Sequence, residues 1–277
     1  MAMRRKWVVV GVIGAAVVAV IVIAAWPRRR EPVYQGRKLS EWVMTALGNM
    51  SFEERHRVYL TRSYDGLKSL AAQEAVRAVR HVGTNGIPFF LRCLRVRRPP
   101  WHDRVERVPF VAEVLKKLIP CPDPQHSAAI GSAGLHMLGH EAVVAVPELT
   151  RIMLAWRPGM GGTYALENLA ALGPVGLNSL LCALTNRGAP DLLRMRVAQE
   201  IGSMGTNGIP AIPALTEALG DPDYLVRGDA AYALRNFGGH SRSAVPALME
   251  HVKDGGRVEA ALREIAPEVL TNGVAHP

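Results

Sequence analysis

Five glycines frame this chain: Gly83, Gly139, Gly173, Gly205 and Gly238. Their spacings are 56, 34, 32 and 33 residues, and the hexapeptide GTNGIP stands at 83–88 and again at 205–210. A period near 33 residues marks an array of small units rather than one single-core domain. Such units cannot bury their apolar faces alone and must stack on one another.

The residues around each glycine give the unit its form. One position before the glycine stand Val82, Leu138, Leu172, Met204 and Phe237, and four before stand Val79, Leu135, Leu169, Ile201 and Leu234. Eight before stand Ala75, Gly131, Ala165, Val197 and Ala230, all small or β-branched. These offsets place one apolar stripe on a helix, here called helix A, that faces a core. The glycine is expected to end that helix in the left-handed conformation. Eight residues after the glycine come Pro147, Pro213 and Pro246, each followed by x-Leu. Proline suits the first turn of a helix, where its missing N–H is not needed, so a helix B begins there.

The glycine–turn–Pro-x-Leu unit resembles bacterial HEAT repeats, including the short HEAT-like units of phycobilisome-lyase type. DPDYLVRGDAAYALRNFG at 221–238 carries the likeness best, through Asp221-Pro222, Val226-Arg227 and its Ala-Ala-x-Ala-Leu core. The resemblance covers about residues 67–270. The stretch YQGRKLSEWV at 34–43 is similar to the segment after the membrane anchor in HEAT proteins of planctomycete and verrucomicrobial type. The resemblance implies an all-α fold, an α-solenoid of roughly five helix pairs, and a role in holding a protein or peptide on a concave helical face. One spacing departs from the period. Between Gly83 and Gly139 there is an excess that holds RVRRPPWHDR, an apolar stretch and PCPDP, read as an insertion at about 97–124 with a helix of its own.

Ahead of the array, Trp7 to Trp26 is a run of uncharged residues. A helix of about 20 residues spans roughly 30 Å, the thickness of a bilayer core. Tryptophan at each end suits the interface, arginines flank both sides, and Pro27 follows. The expectation is an uncleaved signal-anchor after a basic tail (1–6), then a juxtamembrane linker at 27–66 with a short helix over about 38–48. The array at 67–270 and a tail at 271–277 complete the chain. The basic flanks nearly balance, so orientation rests on the usual fate of such an anchor: a single-pass inner-membrane protein with its soluble domain outside the cytoplasm.

This anchor changes the meaning of the charge. The chain carries 33 Lys+Arg against 24 Asp+Glu, a formal net charge of +9. Residues 1–30 contribute +6, residues 31–120 +7, and residues 121–277 −4. A DNA groove needs positive charge along several units, and the later repeats are net acidic, which argues against a nucleic-acid partner. The basic cluster Arg92, Arg95, Arg97, Arg98 and Arg104, with Trp101 among them, is the sharpest local candidate. It reads as a partner-binding patch for lipid headgroups or an acidic protein face, or as a solvated loop.

No catalytic constellation emerges. His136 and His140 lie four apart beside Glu141, but Gly139 between them ends the helix, so they need not share a face. HEAT-type metal hydroxylases carry several His-Glu dyads, whereas only His140-Glu141 stands here. Cys93 and Cys182 fall in apolar helix-B stretches and are expected to be buried, while Cys121 between prolines is expected to be exposed. Asp221, Asp223 and Asp229 cluster at a helix start, where capping explains them better than calcium. No phosphate loop, nucleophile elbow or H-E-x-x-H occurs. The expectation is no catalytic residues, no metal and no cofactor. The alternatives are an enzyme of hydroxylase, lyase or glycosylase kind, and an anionic-lipid or nucleic-acid contact through 92–104.

Overall fold

A computed structural model describes residues 31–51, 53–54, 58, 64–97, 123–155 and 160–272. The expected anchor at 7–26, most of the insertion, and Arg98, Cys121, Trp101 and Arg104 lie outside the described residues. Among the described residues, the compact unit from Pro32 onward is helical apart from one two-stranded hairpin.

The hairpin pairs β1 (Val33–Tyr34) with β2 (Arg37–Lys38). Gln35 and Gly36 form its turn at φ 50° and 76°. Two successive positive φ values are what a tight two-residue hairpin turn requires. Helix α1 (Leu39–Gly48) follows at once and buries Leu39, Trp42, Val43 and Ala46. Trp42 donates its indole N–H to the Tyr34 carbonyl at 3.1 Å and lies under the Arg37 guanidinium at 4.1 Å. The stretch expected as a linker thus contributes to the core, covering the first face of the array.

Five helix pairs follow among the described residues. The A helices are α2 (Leu70–Val82), α4 (Pro124–Leu138), α6 (Met160–Ala171), α8 (Asp191–Ser203) and α10 (Tyr224–Asn236). The B helices are α3 (Ile87–Leu94), α5 (Val146–Leu154), α7 (Pro174–Thr185), α9 (Ile212–Ala218) and α11 (Val245–Glu250). Helices α12 (Gly256–Ile265) and α13 (Pro267–Asn272) close the array. Each A helix packs on the next A helix, α3, α5 and α7 each pack on the following B helix, and every B helix packs on the helix that follows it. That is the two-layer contact pattern of an α-solenoid.

The predicted stripe forms the core. Every residue at the −4 and −8 offsets is buried, whereas at −1 only Leu138 and Phe237 are. Val82, Leu172 and Met204 are half-buried because the chain is already turning away there.

All five junction glycines have positive φ, between 53° and 60°. Their ψ values differ from the left-handed helical conformation expected: −143° at Gly83, −125° at Gly139 and −134° at Gly173. This region is open essentially to glycine alone, because a Cβ would clash with the flanking carbonyls. The chain therefore reverses sharply instead of unwinding through a helical cap.

The turns vary with the proline. After Gly139, Gly205 and Gly238 a 3-10 segment of 7 residues precedes a helix B with proline in its first turn. After Gly83 the segment has 4 residues and Pro88 starts α3, and after Gly173 there is none, because Pro174 starts α7 directly. The two GTNGIP copies diverge accordingly. In the first, Ile87-Pro88 opens the helix; in the second, Pro210 stays inside the 3-10 segment and the helix waits for Ile212-Pro213.

Three residues after each junction glycine stands a small buried residue: Gly86, Ala142, Gly176, Gly208 or Ser241. Gly176 shows why. A Cβ there would lie 1.8 Å from the Leu169 carbonyl oxygen, so helices A and B meet too closely for any side chain.

Polar bonds lock successive units. Arg80 donates to the Met137 carbonyl at 2.8 Å, Asn168 to Ser132 Oγ at 2.9 Å, and Thr150 to Ser179 Oγ at 2.7 Å. The strongest lock is Arg194, a fully buried side chain of α8. Its Nε and Nη2 donate to the two Asp221 carboxylate oxygens at 2.9 and 2.8 Å, Nη2 also reaches Asp191, and Nη1 donates to the Ala189 carbonyl. Burial alone would raise the Asp221 carboxyl, but the Arg194 hydrogen bond, the Asp223 amide and the charges of Arg194 and Arg187 hold it below the usual carboxylate range.

The expected capping role of the aspartates holds for one of three. Asp223 is the N-cap of α10, accepting from the Leu225 and Val226 amides. Asp221 is the partner of Arg194. Asp229 lies inside α10, is 6% exposed and pairs with Arg257 of α12. Burial pushes the Asp229 carboxyl up, and the opposing charges of Arg257 and Arg196 only partly offset it.

Candidate functional site

The basic cluster singled out in the sequence is only partly a free surface. Arg92 is half-buried in the last turn of α3, and Arg95 is the residue that ends that helix. The Arg95 guanidinium pairs with Glu148 of α5, a carboxylate that Arg151 also approaches at 3.3 Å. One of the expected partner-binding cations is thus spent within the chain, between neighbouring units. Arg97 is exposed.

The structure brings a different set of residues together. A groove of about 240 Å³ lies over the A helices, with Leu47 and Met50 at one wall and Val58 and Tyr64 beside them. Helix α4 contributes Ala129, Ser132, Ala133 and His136, which recur one helical turn apart on a single face. Helix α6 adds Tyr164 and Glu167 at i, i+3 spacing, and α8 adds Glu200. Three consecutive A helices therefore aim polar side chains at one space floored by alanine.

These groups are held, not dangling. Ser132 Oγ accepts from Asn168 Nδ2, which also donates to the Tyr164 carbonyl at 2.7 Å. Ser203 Oγ donates to the Glu200 carbonyl at 2.8 Å and approaches its carboxylate at 3.4 Å. Burial lifts the Tyr64 phenol above its ordinary value. Tyr164 is raised as well, by burial first and then by the negative charge of Glu167.

Sequence reasoning missed this groove because its residues sit at unequal offsets from their glycines. His136 lies three before Gly139, Glu167 six before Gly173 and Glu200 five before Gly205. Comparing units at one offset hides residues that converge only after the A helices stack. The findable signal was the polar Ser132–His136 pair inside an otherwise apolar stretch. His136 and His140 do part company: His136 lines the groove from α4, and His140 is exposed in the 3-10 segment beyond Gly139. Among the described residues, no group of three or more His, Cys, Asp or Glu is placed to hold a metal ion.

The cysteines divide. Cys93 is buried in α3 as expected, but Cys182 is exposed. Helix α7 turns Leu177, Leu180, Ala183 and Leu184 inward, and the helical period leaves Cys182 on the opposite side.

One helical stretch among the described residues, Pro124–Leu154, is long and apolar enough by composition to cross a membrane. It is internal, reverses at Gly139, and 56% of its most apolar window is buried within the protein, which is the character of core helices.

Residues 177–266 match the family described as HEAT repeats, which agrees with the helical repeat seen over that segment. The match runs from α7 through α12, and the pairs before it repeat the same junction glycine and buried stripe. No curated protein matches the chain.

Proposed function

We propose that this chain is a membrane-tethered scaffold whose HEAT repeats hold a protein partner, with no catalysis of its own. The observation that carries the reading is the stack of A helices, each packed on the next and backed by B helices, which offers a partner an extended helical surface. HEAT repeats as a class mediate protein–protein interaction, which supports the same role. The tether rests on the uncharged run from Trp7 to Trp26 with arginines on both sides. The inner membrane, an extracytoplasmic array and a bacterial source of the planctomycete kind belong to this reading too.

Proximity labelling from the full chain, combined with reporter fusions at its C-terminus, tests both halves. A recurrent neighbour set and a reporter active on only one side of the membrane are expected. A soluble, freely dispersed chain with no recurrent neighbour contradicts the proposal.

A second reading, an enzyme of HEAT type, is favoured by one observation: His136, Glu167, Glu200 and Tyr64 share a groove. Under that reading Glu200→Gln abolishes a turnover that the purified chain displays. The contact of anionic partners through 92–104 has less support, since Arg95 is committed to Glu148.

A further inference from the structure

We infer that two copies of this chain dock through their B helices, around a two-fold axis that runs along α7. This goes beyond the scaffold reading and does not depend on it. The observation is a ladder of side chains placed twelve residues past the five junction glycines: Arg95, Arg151, Thr185, Glu217 and Glu250. All five are exposed, and they stand in or just past the last turn of successive B helices. The ladder runs basic, basic, neutral, acidic, acidic, so its sign reverses at α7.

Within one chain the two signs do not meet. Helix α7 lies between Arg151 on α5 and Glu217 on α9, and two interaxial steps of about 8–10 Å keep them roughly 20 Å apart. A half-turn about an axis along α7 keeps every residue at its own height and lays α5 of one copy over α9 of the other. Arg151 of each copy then faces Glu217 of its partner, twice in the dimer. A two-fold interface must be complementary to itself, and this arrangement sets opposite charges together on both flanks. An axis across the helices lays α5 over α5 and α9 over α9, without that complementarity. The Arg151 side chain is 78% exposed, and Glu148, which it approaches at 3.3 Å, already pairs with Arg95. Such an exposed contact is worth at most about 1 kcal/mol, so the guanidinium can turn to a second copy.

The centre of the contact fits the same symmetry. Residues on the axis meet their own copies, where a charge would oppose its like. Helix α7, PVGLNSLLCALT, holds no charged residue. Its outward stripe is Val175, Asn178, Cys182 and Thr185, exposed at steps of three and four residues. Depletion of charge is the compositional mark of the core of a protein–protein interface. The ladder thus supplies a charged rim of both signs around an uncharged centre.

The test is cysteine cross-linking of the full chain in neutral detergent, in a Cys121→Ser background that leaves exposed Cys182 and buried Cys93. A short bis-maleimide is expected to join two chains through Cys182 and to give no dimer once Cys182→Ser is added. Arg151→Glu and Glu217→Arg should each lower the dimer yield at least about fivefold, because each sets like charges together across the axis. The double variant Arg151→Glu/Glu217→Arg restores opposite charges and should restore the yield, a rescue that misfolding of a single variant does not produce. These reversals leave residues 7–26 unchanged, so pairing through that segment does not reproduce the pattern. No dimer through Cys182 overturns the inference. So do single reversals that leave the yield unchanged, and a double variant no better than the singles. Those results leave the scaffold reading standing, because partner capture by proximity labelling is read independently.

Discussion

Removing the Asp221 carboxylate leaves the Arg194 guanidinium charged at a site where both side chains are only 2% exposed. In Asp221→Ala, Arg194 keeps the Ala189 carbonyl and Asp191, the latter 63% exposed, but loses its bidentate partner. The Asp223 amide also loses its acceptor at 2.9 Å. Breaking a buried ion pair from one side costs about 3–5 kcal/mol, because a charge remains without compensation. With m near 3 kcal/mol/M, the urea midpoint should fall by about 1–1.7 M. Removing both partners tests the reasoning further. Replacing both members of a buried ion pair by apolar groups can be close to neutral, so Arg194→Met/Asp221→Ala should recover all but about 1–2 kcal/mol, the remainder being the orphaned amide. Circular dichroism in urea gives the four midpoints, and hydrogen exchange in α8 and α10 shows whether the loss is local, as expected in a solenoid. A single variant costing under about 1 kcal/mol, or a double variant costing the sum of the singles, refutes the account of this lock.

Three further outcomes follow from the same structure. Gly139→Ala and Gly205→Ala meet no atom within 4 Å, so their cost, about 1–3 kcal/mol in urea unfolding, reports positive-φ strain alone. Gly134→Ala places a Cβ 2.1 Å from the Phe90 ring and should lower stability by about 1–3 kcal/mol, with Phe90→Leu recovering part of it in a thermal melt. The depressed Asp221 carboxyl contributes stability that is complete above the unfolded value of about 3.9 and is lost as pH falls through its lower folded value. Urea midpoints of the wild type should therefore drop steeply below about pH 4, and those of Arg194→Met/Asp221→Ala less so.

How much of this was legible in the sequence depended on range. The junction glycines, the −4 and −8 stripe and the prolines at Pro147, Pro213 and Pro246 are properties of single units, and a repeat displays them several times over. Where the chain used a different solution, as with Pro174 directly after Gly173, the period alone could not reveal it. The conformation of the glycines was read only half correctly, since composition demands positive φ and says nothing of ψ. Residues that act between units were the ones missed. Arg194 looks like an ordinary surface arginine until Asp221 of the next unit closes over it, and Asp229 looks like a cap until Arg257 reaches it. The groove belongs to the same class, being assembled from three A helices. Conversely, the basic patch was conspicuous because charge is visible in sequence, but its pairing with Glu148 is not.

The central claim is that the stacked helices hold a protein partner, and site-specific photo-cross-linking in the native cell tests it most directly. A photoreactive residue is placed in turn at Gln199 on α8, at Tyr232 on α10 and at Cys182 on the opposite layer. The account predicts a discrete adduct with a partner protein that appears from positions on one layer and not from the other. Adducts absent from every position on both layers would contradict it.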